Sequence, residues 1–189
     1  MTYEGAIADS NKAIEIKPDF ASAYYNRGVV RSDLGAIADS NKAIEIKPDY
    51  ASAYVTRGVA RGNLGDKEGE IADSNKAIEI KPDYASAYYN WGVVCGNLGD
   101  KEEAIADSNK AIEIKPDYAS AYYNRGVVRG NLGDKEGAIA DFNKAIEIKP
   151  DYAEPYVIRG VVRSNLGDKE EASANSNKAI EIKPDYAEP

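Results

Sequence analysis

Residues 117–150 read DYASAYYNRGVVRGNLGDKEGAIADFNKAIEIKP, and how this stretch divides decides the fold. Over residues 119–132, Tyr122, Gly126 and Arg129 recur at spacings of four and three, which puts them on one face of a helix. Over residues 135–148, Ala138, Phe142, Ala145 and Ile146 share a face in the same way. Between the two segments Gly133 suits a left-handed C-terminal cap, and Asp134 suits the N-cap of the second helix. Pro150 stops that helix, because proline brings no amide hydrogen and its ring clashes with the preceding turn. The stretch spells a helix hairpin.

The same words run along the whole chain. A Lys-Pro-Asp tripeptide places proline at 18, 48, 82, 116, 150 and 184, a period of 34 residues with one unit of 30. Asp100 with Glu103, and Asp168 with Glu171, extend the N-cap to a capping box. Asp151 with Glu154 is expected to cap the following first helix, and Pro155 falls in its first turn, where proline is tolerated. Organisation follows from the phase: a lone second helix at 1–18, a short unit at 19–48, four 34-residue units over 49–184, and the start of another at 185–189.

Composition fits a folded chain, 43% hydrophobic and 30% charged over 189 residues. The net charge of −8 is spread through every unit, which favours solubility and argues against a nucleic-acid partner, since that needs clustered Lys and Arg. No run approaches the roughly 18 apolar residues of a membrane span, so no membrane partner is expected, and the first ten residues hold no signal-peptide core. The single cysteine, Cys95, excludes an internal disulfide framework and accords with a reducing compartment, so a cytoplasmic location is expected.

In the unit ending at Pro116 the landmark places hold Tyr88, Trp91, Gly92, Cys95, Ala104, Ser108 and Ala111. On these residues the chain resembles the tetratricopeptide repeat (TPR) family. That family's pattern is a large aromatic, leucine, glycine and an aromatic in the first helix, then a small residue, an aromatic and alanine in the second, then proline. The resemblance covers essentially the whole chain. It implies an all-α, right-handed α-solenoid of antiparallel helix hairpins with a 34-residue period.

The departures from the pattern are as informative. The leucine place holds Arg27, Arg57, Arg125 and Arg159, and the following aromatic place Arg31, Arg61, Arg129 and Arg163. A buried arginine must be paired, and Asp39, Asp73 and Asp141 on the adjoining helix are the expected partners. Asn175 replaces that aspartate in the last unit, which leaves Arg159 to reach solvent instead. The second-helix aromatic survives only as Phe142, with Ser40, Ser74, Ser108 and Ser176 elsewhere, and Glu70 stands at one small place. A wetter, less tightly packed solenoid is expected. Trp91 and Cys95 fill both arginine places of their unit and are read as an apolar plug.

Residues 31–48, RSDLGAIADSNKAIEIKP, lack four residues present in 129–150 and taken here as DKEG. Their loss removes the turn and the capping aspartate, leaving Gly35 alone where helix hairpins use about 2–5 residues. Ser32-Asp33 could become the turn, with Asp33 as cap and both helices shortened. Alternatively one helix runs straight through residues 22–46. Four residues are close to a turn of about 3.6, so Tyr24, Arg31, Leu34, Ile37 and Ile44 stay nearly in phase. Gly35 costs about 1 kcal/mol there, against roughly 1.5–3 kcal/mol for each large apolar side chain that finds a partner. The continuous helix is therefore favoured, and it predicts self-association through those five residues as a domain-swapped dimer. Residues 3–16 form a second helix without its first, and the chain stops where another first helix should begin. It reads as a section of a longer array with an apolar face uncovered at each end, so end-to-end stacking is also expected.

For function, the resemblance implies a protein-interaction scaffold whose first helices line a concave, peptide-binding surface. The matching positions are Tyr25, Asn26, Val55, Thr56, Tyr89, Asn90, Tyr123, Asn124, Val157 and Ile158. Beside them lie Val29, Val59, Val93, Val127 and Val161, with Asn63, Asn97, Asn131 and Asn165 toward the far end. Tyrosine offers broad contact area, and a carboxamide both donates to and accepts from a peptide backbone. Ser22, Ser52, Ser86 and Ser120 stand where a carboxylate clamp would need cations. The partner is expected to be a protein or peptide, a second copy of the chain included. An enzyme is not expected: the chain has no histidine, no CxxC pair and no phosphate-binding glycine loop, and no cofactor or metal site is indicated.

Overall fold

The computed structural model describes residues 2–187. Among them it holds eleven α-helices and no strand. The helices are α1 Tyr3–Ile16, α2 Ala21–Val29, α3 Asp33–Ile46, α4 Ala51–Asn63, α5 Lys67–Ile80, α6 Ala85–Leu98, α7 Lys101–Ile114, α8 Ala119–Leu132, α9 Lys135–Ile148, α10 Ala153–Asn165 and α11 Lys169–Ile182. A short 3-10 turn, Pro184–Ala187, follows. The chain forms two compact units, Met1–Val94 and Cys95–Pro189. In the first, α1 to α5 pack in series, each on the next; in the second, α7 to α11 do the same. Serial packing of helix pairs makes the fold an all-α solenoid.

The local chemistry follows the expected caps. Gly133 closes α8 with a φ of 88°, a left-handed conformation that costs glycine nothing and other residues dearly. The Asp134 amide then donates back to the Arg129 carbonyl at 3.0 Å, satisfying an end group of α8. Asp134 in turn accepts from the Gly137 amide at 2.9 Å, and Asp100 and Asp168 accept from Glu103 and Glu171. The first helices are different. The α10 N-cap is Tyr152, with no side-chain bond, so Asp151 does not cap it as expected. Glu154 instead lies 3.9 Å from Lys183.

Alanine lines the core: Ala43, Ala53, Ala77, Ala87, Ala104, Ala111, Ala121, Ala138 and Ala145 are fully buried. Helices therefore approach closely, and at Gly126 a β-carbon would stand 2.7 Å from the Phe142 ring. Polar groups cross this core where the arginines enter. Arg27 grips Asp39 with Nε at 2.9 Å and Nη2 at 2.6 Å, while Arg31 adds a bond at 3.1 Å. Arg57 and Arg61 hold Asp73, and Arg125 and Arg129 hold Asp141, in the same arrangement. Each fork also bonds an asparagine of the preceding second helix: Asn11, Asn41 or Asn109. Arg159 departs from expectation. It stays inside, with Nε on the Asn175 carboxamide oxygen at 2.8 Å, and Nη1 on Asn143. Burial, and then the Arg163 charge, lower its pKa, since one neutral oxygen has replaced a carboxylate. Glu70, the exception at a small place, is buried and paired with Lys67 at 3.0 Å. Gly62 makes its room, because a β-carbon there would meet the Glu70 carboxylate.

The continuous helix expected over residues 22–46 is not present. α2 ends at Val29, α3 begins at Asp33, and Val30, Arg31 and Ser32 turn the chain between them. Side-by-side packing decides it. In one straight helix Arg27 and Asp39 would be about 18 Å apart at 1.5 Å per residue, and their fork would be lost. α3 keeps its full 14 residues and buries Ala36, Asp39, Ser40 and Ala43. α2 is cut to 9 residues, where α8 has 14. The four missing residues thus come from the last turn of the first helix and its glycine cap, and Ser32 takes the N-cap place without making a side-chain bond. Gly35 is the third residue of α3, as Gly137 is of α9.

The five residues tied to self-association are mostly spent within the fold. The Arg27 guanidinium lies 5.4 Å from the Tyr24 ring centre, Arg31 bonds Asp39, and Ile37 and Ile44 are half-buried. Leu34, 72% exposed, faces solvent, and the Arg31 side chain is 40% exposed. The expectation of exchanged N-terminal segments loses its premise with the continuous helix.

Candidate functional site

The first helices carry the candidate groove residues, and each compact unit holds its own set. In the first unit Tyr25 is not a free contact residue. Its ring packs on Tyr50 with centres 5.1 Å apart, and its hydroxyl meets Ser52 and Thr56 of α4. Burial raises its pKa first, then the neighbouring Tyr84 and Tyr50, while the hydroxyl bonds pull the other way. Tyr84 donates from its own hydroxyl to Ser52 at 3.0 Å. Thus Tyr25 and Thr56 form a polar seam that joins α2 to α4.

Beside that seam the shortened α2 leaves a cavity of about 240 Å³, floored by Val29, Val55, Val59 and Ala60 with Arg31 and Asp33 at its rim. Val29 and Val59 are exposed, as is Asn26, and Asn63 donates to the Asp33 carboxylate at 3.0 Å. Tyr89, Asn90 and Val93 are half-buried on α6.

In the second unit Tyr123 sits between Phe142 and Tyr152, with centres 6.1 and 5.4 Å away. It lines a cavity of about 350 Å³ with Val157 and Ile158 of α10 and Ser176, Ala179 and Ile180 of α11. Here the serine at the second-helix aromatic place has a visible effect: Phe142 fills its site, and Ser176 leaves space. Asn124 turns toward α7, donating to the Ser108 hydroxyl at 3.2 Å. Val127 is half-buried; Asn97, Asn131, Val161 and Asn165 are exposed. The structure therefore gathers Val29, Val55, Thr56 and Val59 around one cavity, and Tyr123, Val157 and Ile158 around another. Tyr25 and Tyr123 pack against neighbouring tyrosines, and Asn124 is turned to Ser108.

One polar group escaped notice in the sequence. Asp107 on α7 is buried, and its Oδ2 has no hydrogen-bond partner. Burial, then the charges of Glu103 and Asp100, push its carboxyl up to about 7. Cys95, at the same end of α6, is pushed up to about 11, chiefly by burial. Among the described residues no group of His, Cys, Asp and Glu is placed to hold a metal ion, and no helix is long and apolar enough to cross a membrane.

Comparison with known proteins agrees with this geometry. Family models described as tetratricopeptide repeat match residues 51–84, 119–152 and 153–186, and one described as TPR repeat matches 2–35 and 94–133. No curated protein sequence matches the chain. Among solved structures, a crystal structure of MamA is similar at 28% identity and a TM-score of 0.68, covering 82% of this chain and 91% of that one. YrrB, described as a TPR protein with an unusual peptide-binding site, is similar at 25% identity and 0.63, covering 94% of each. MamA 41-end from Desulfovibrio magneticus RS-1 shares the fold at 20% identity and 0.69, covering 87% and 96%. With its helix pairs, glycine caps and buried alanines in step with those matches, the chain belongs to the tetratricopeptide repeat family.

Proposed function

We propose that the array is a protein-interaction scaffold that binds an extended peptide, or an extended segment of a partner protein, along the faces of its first helices. The observation that carries this is the pair of unfilled apolar cavities on those faces. Each is lined by first-helix aliphatic residues: Val29, Val55 and Val59 in one unit, Val157 and Ile158 in the other. A cavity of a few hundred Å³ accepts one or two apolar side chains, and nearby carboxamides such as Asn26 are free to meet a peptide backbone. The similarity to YrrB, a TPR protein with a peptide-binding site, supports the same class of ligand. No catalytic step is part of the proposal.

Titrating the chain against a displayed peptide library tests it. Val157→Asp and Val55→Asp should each weaken selected peptides at least tenfold without changing helix content, and Asn26→Ala should weaken them further. Peptides held equally by all versions would overturn the groove. A second mode, stacking of copies through their ends, is favoured by Tyr3 and Ile16 of α1, each 77% exposed. Light scattering at several concentrations tests that mode, and a strict monomer excludes it.

A further inference from the structure

The second helices of four consecutive hairpins carry an aspartate at the same register, Asp39, Asp73, Asp107 and Asp141; α1 carries Asp9 there, in solvent. Three of these each bind two arginines of the first helix. The fourth has neither, because Trp91 and Cys95 stand at the two arginine places, yet the aspartate stays and stays buried at 7% exposure. A carboxylate taken from water with no cation and an unbonded oxygen is costly in its ionised form, whereas the neutral acid can remain inside.

We propose that Asp107 is a pH-responsive latch of the second unit: protonated, it lets α7 pack on the end of α6 and on α8; ionised, it loosens that packing. Among the described residues of the second unit, the charges that act on it are carboxylates. The end of α6 contributes the Cys95 thiol, and the start of α7 contributes Asp100 and Glu103. The α8 arginines, Arg125 and Arg129, are both turned to Asp141 on α9. Lys101 bonds the Asn131 carbonyl, and Lys110 bonds Glu113 at the surface. The forces on the carboxyl all point upward, to about 7 in the folded chain against an ordinary value of 3.8. The folded state therefore holds this proton more tightly than the unfolded one. Stability from it is full below about pH 4 and is lost as pH rises through about 7. Ser108, the next residue, accepts the Asn124 carboxamide, so loosening α7 also frees a groove asparagine. Only this last link rests on the peptide-groove proposal.

The test uses no ligand, so its outcome is separable from that of the groove. Carboxyl carbon NMR of the full chain across pH 4–8, with Asp107 assigned by Asp107→Asn, should give a midpoint within about one unit of 7. Intrinsic-rate-corrected amide exchange in α7 should show opening that rises up to tenfold per pH unit between about pH 4 and 7 and levels off above. Asp107→Asn should flatten that profile. Cys95→Arg, which restores a cation at the register of Arg129, should draw the midpoint down by a unit or more. A wild-type midpoint near 4, or the same pH profile in Asp107→Asn, overturns the latch. If a variant fails to fold, the wild-type titration decides alone.

Discussion

The Arg125 guanidinium and the Asp141 carboxylate meet fork to fork, Nε to Oδ2 at 3.0 Å and Nη2 to Oδ1 at 2.6 Å. Their side chains are 15% and 4% exposed, so removing one strands the other away from water. Asp141→Ala should cost about 3–5 kcal/mol, the usual penalty for breaking a buried pair from one side. Asp141→Asn should cost clearly less, because Asn175 shows that a carboxamide here still accepts from Arg159. Urea unfolding of the two variants measures the difference; equal losses would mean the fork contributes through shape alone.

Gly126 and Phe142 form a matched pair. A β-carbon at 126 would lie 2.7 Å from the ring, so Gly126→Ala should destabilise by about 1–3 kcal/mol through overpacking. In a Phe142→Ser background the same alanine should cost less, since a β-carbon at the register equivalent Gly28 would stand 3.7 Å from the Ser40 hydroxyl and 3.2 Å from its nearest neighbour, the Asp39 β-carbon. Thermal unfolding of the four-member cycle checks the coupling, and strict additivity would refute it.

Capping predicts a contrast between units. Asp134→Ala should cost about 1 kcal/mol, because its carboxylate accepts from Gly137. Ser32→Ala should cost no more than a few tenths, since Ser32 makes no side-chain bond at the α3 N-cap. Chemical denaturation resolves the two, and a loss of about 1 kcal/mol at Ser32 would contradict the observed cap.

Cys95 should be inert. With its thiol at about 11 the reactive thiolate is scarce at pH 8, and the sulfur is buried at 5% exposure. Labelling by a disulfide reagent should therefore follow unfolding, speeding up with urea. Immediate stoichiometric labelling of the native chain would contradict this.

Much of this was legible in the sequence because repetition averages out local ambiguity. One hairpin at 117–150 gives two helices whose bounds, 119–132 and 135–148, are those found, since glycine, aspartate and proline punctuate each end. The arginine–aspartate forks were legible too, from charge opposed to charge at matching registers. Three things were not. The short unit misled because local phase permits a straight helix, whereas a contact twelve residues apart, Arg27 with Asp39, forbids it. The tyrosines looked like ligand contacts, but Tyr25 and Tyr123 are held by neighbours one unit away, which no single unit reveals. Asp107 could have been found by asking which hairpin kept the aspartate without the arginines, since Trp91 and Cys95 already stood in their places.

The 9-residue α2 shows where a chain of this kind can change length without reorganising. Second helices such as α3 and α9 are held by buried alanines and ion pairs, but the outer end of a first helix, with leucines such as Leu132 and Leu166 half in water, is pinned by little. Foreign peptides, protease sites or fluorescent tags grafted at Gly133 or Gly167 should be accepted there, and the same grafts a few residues downstream should not.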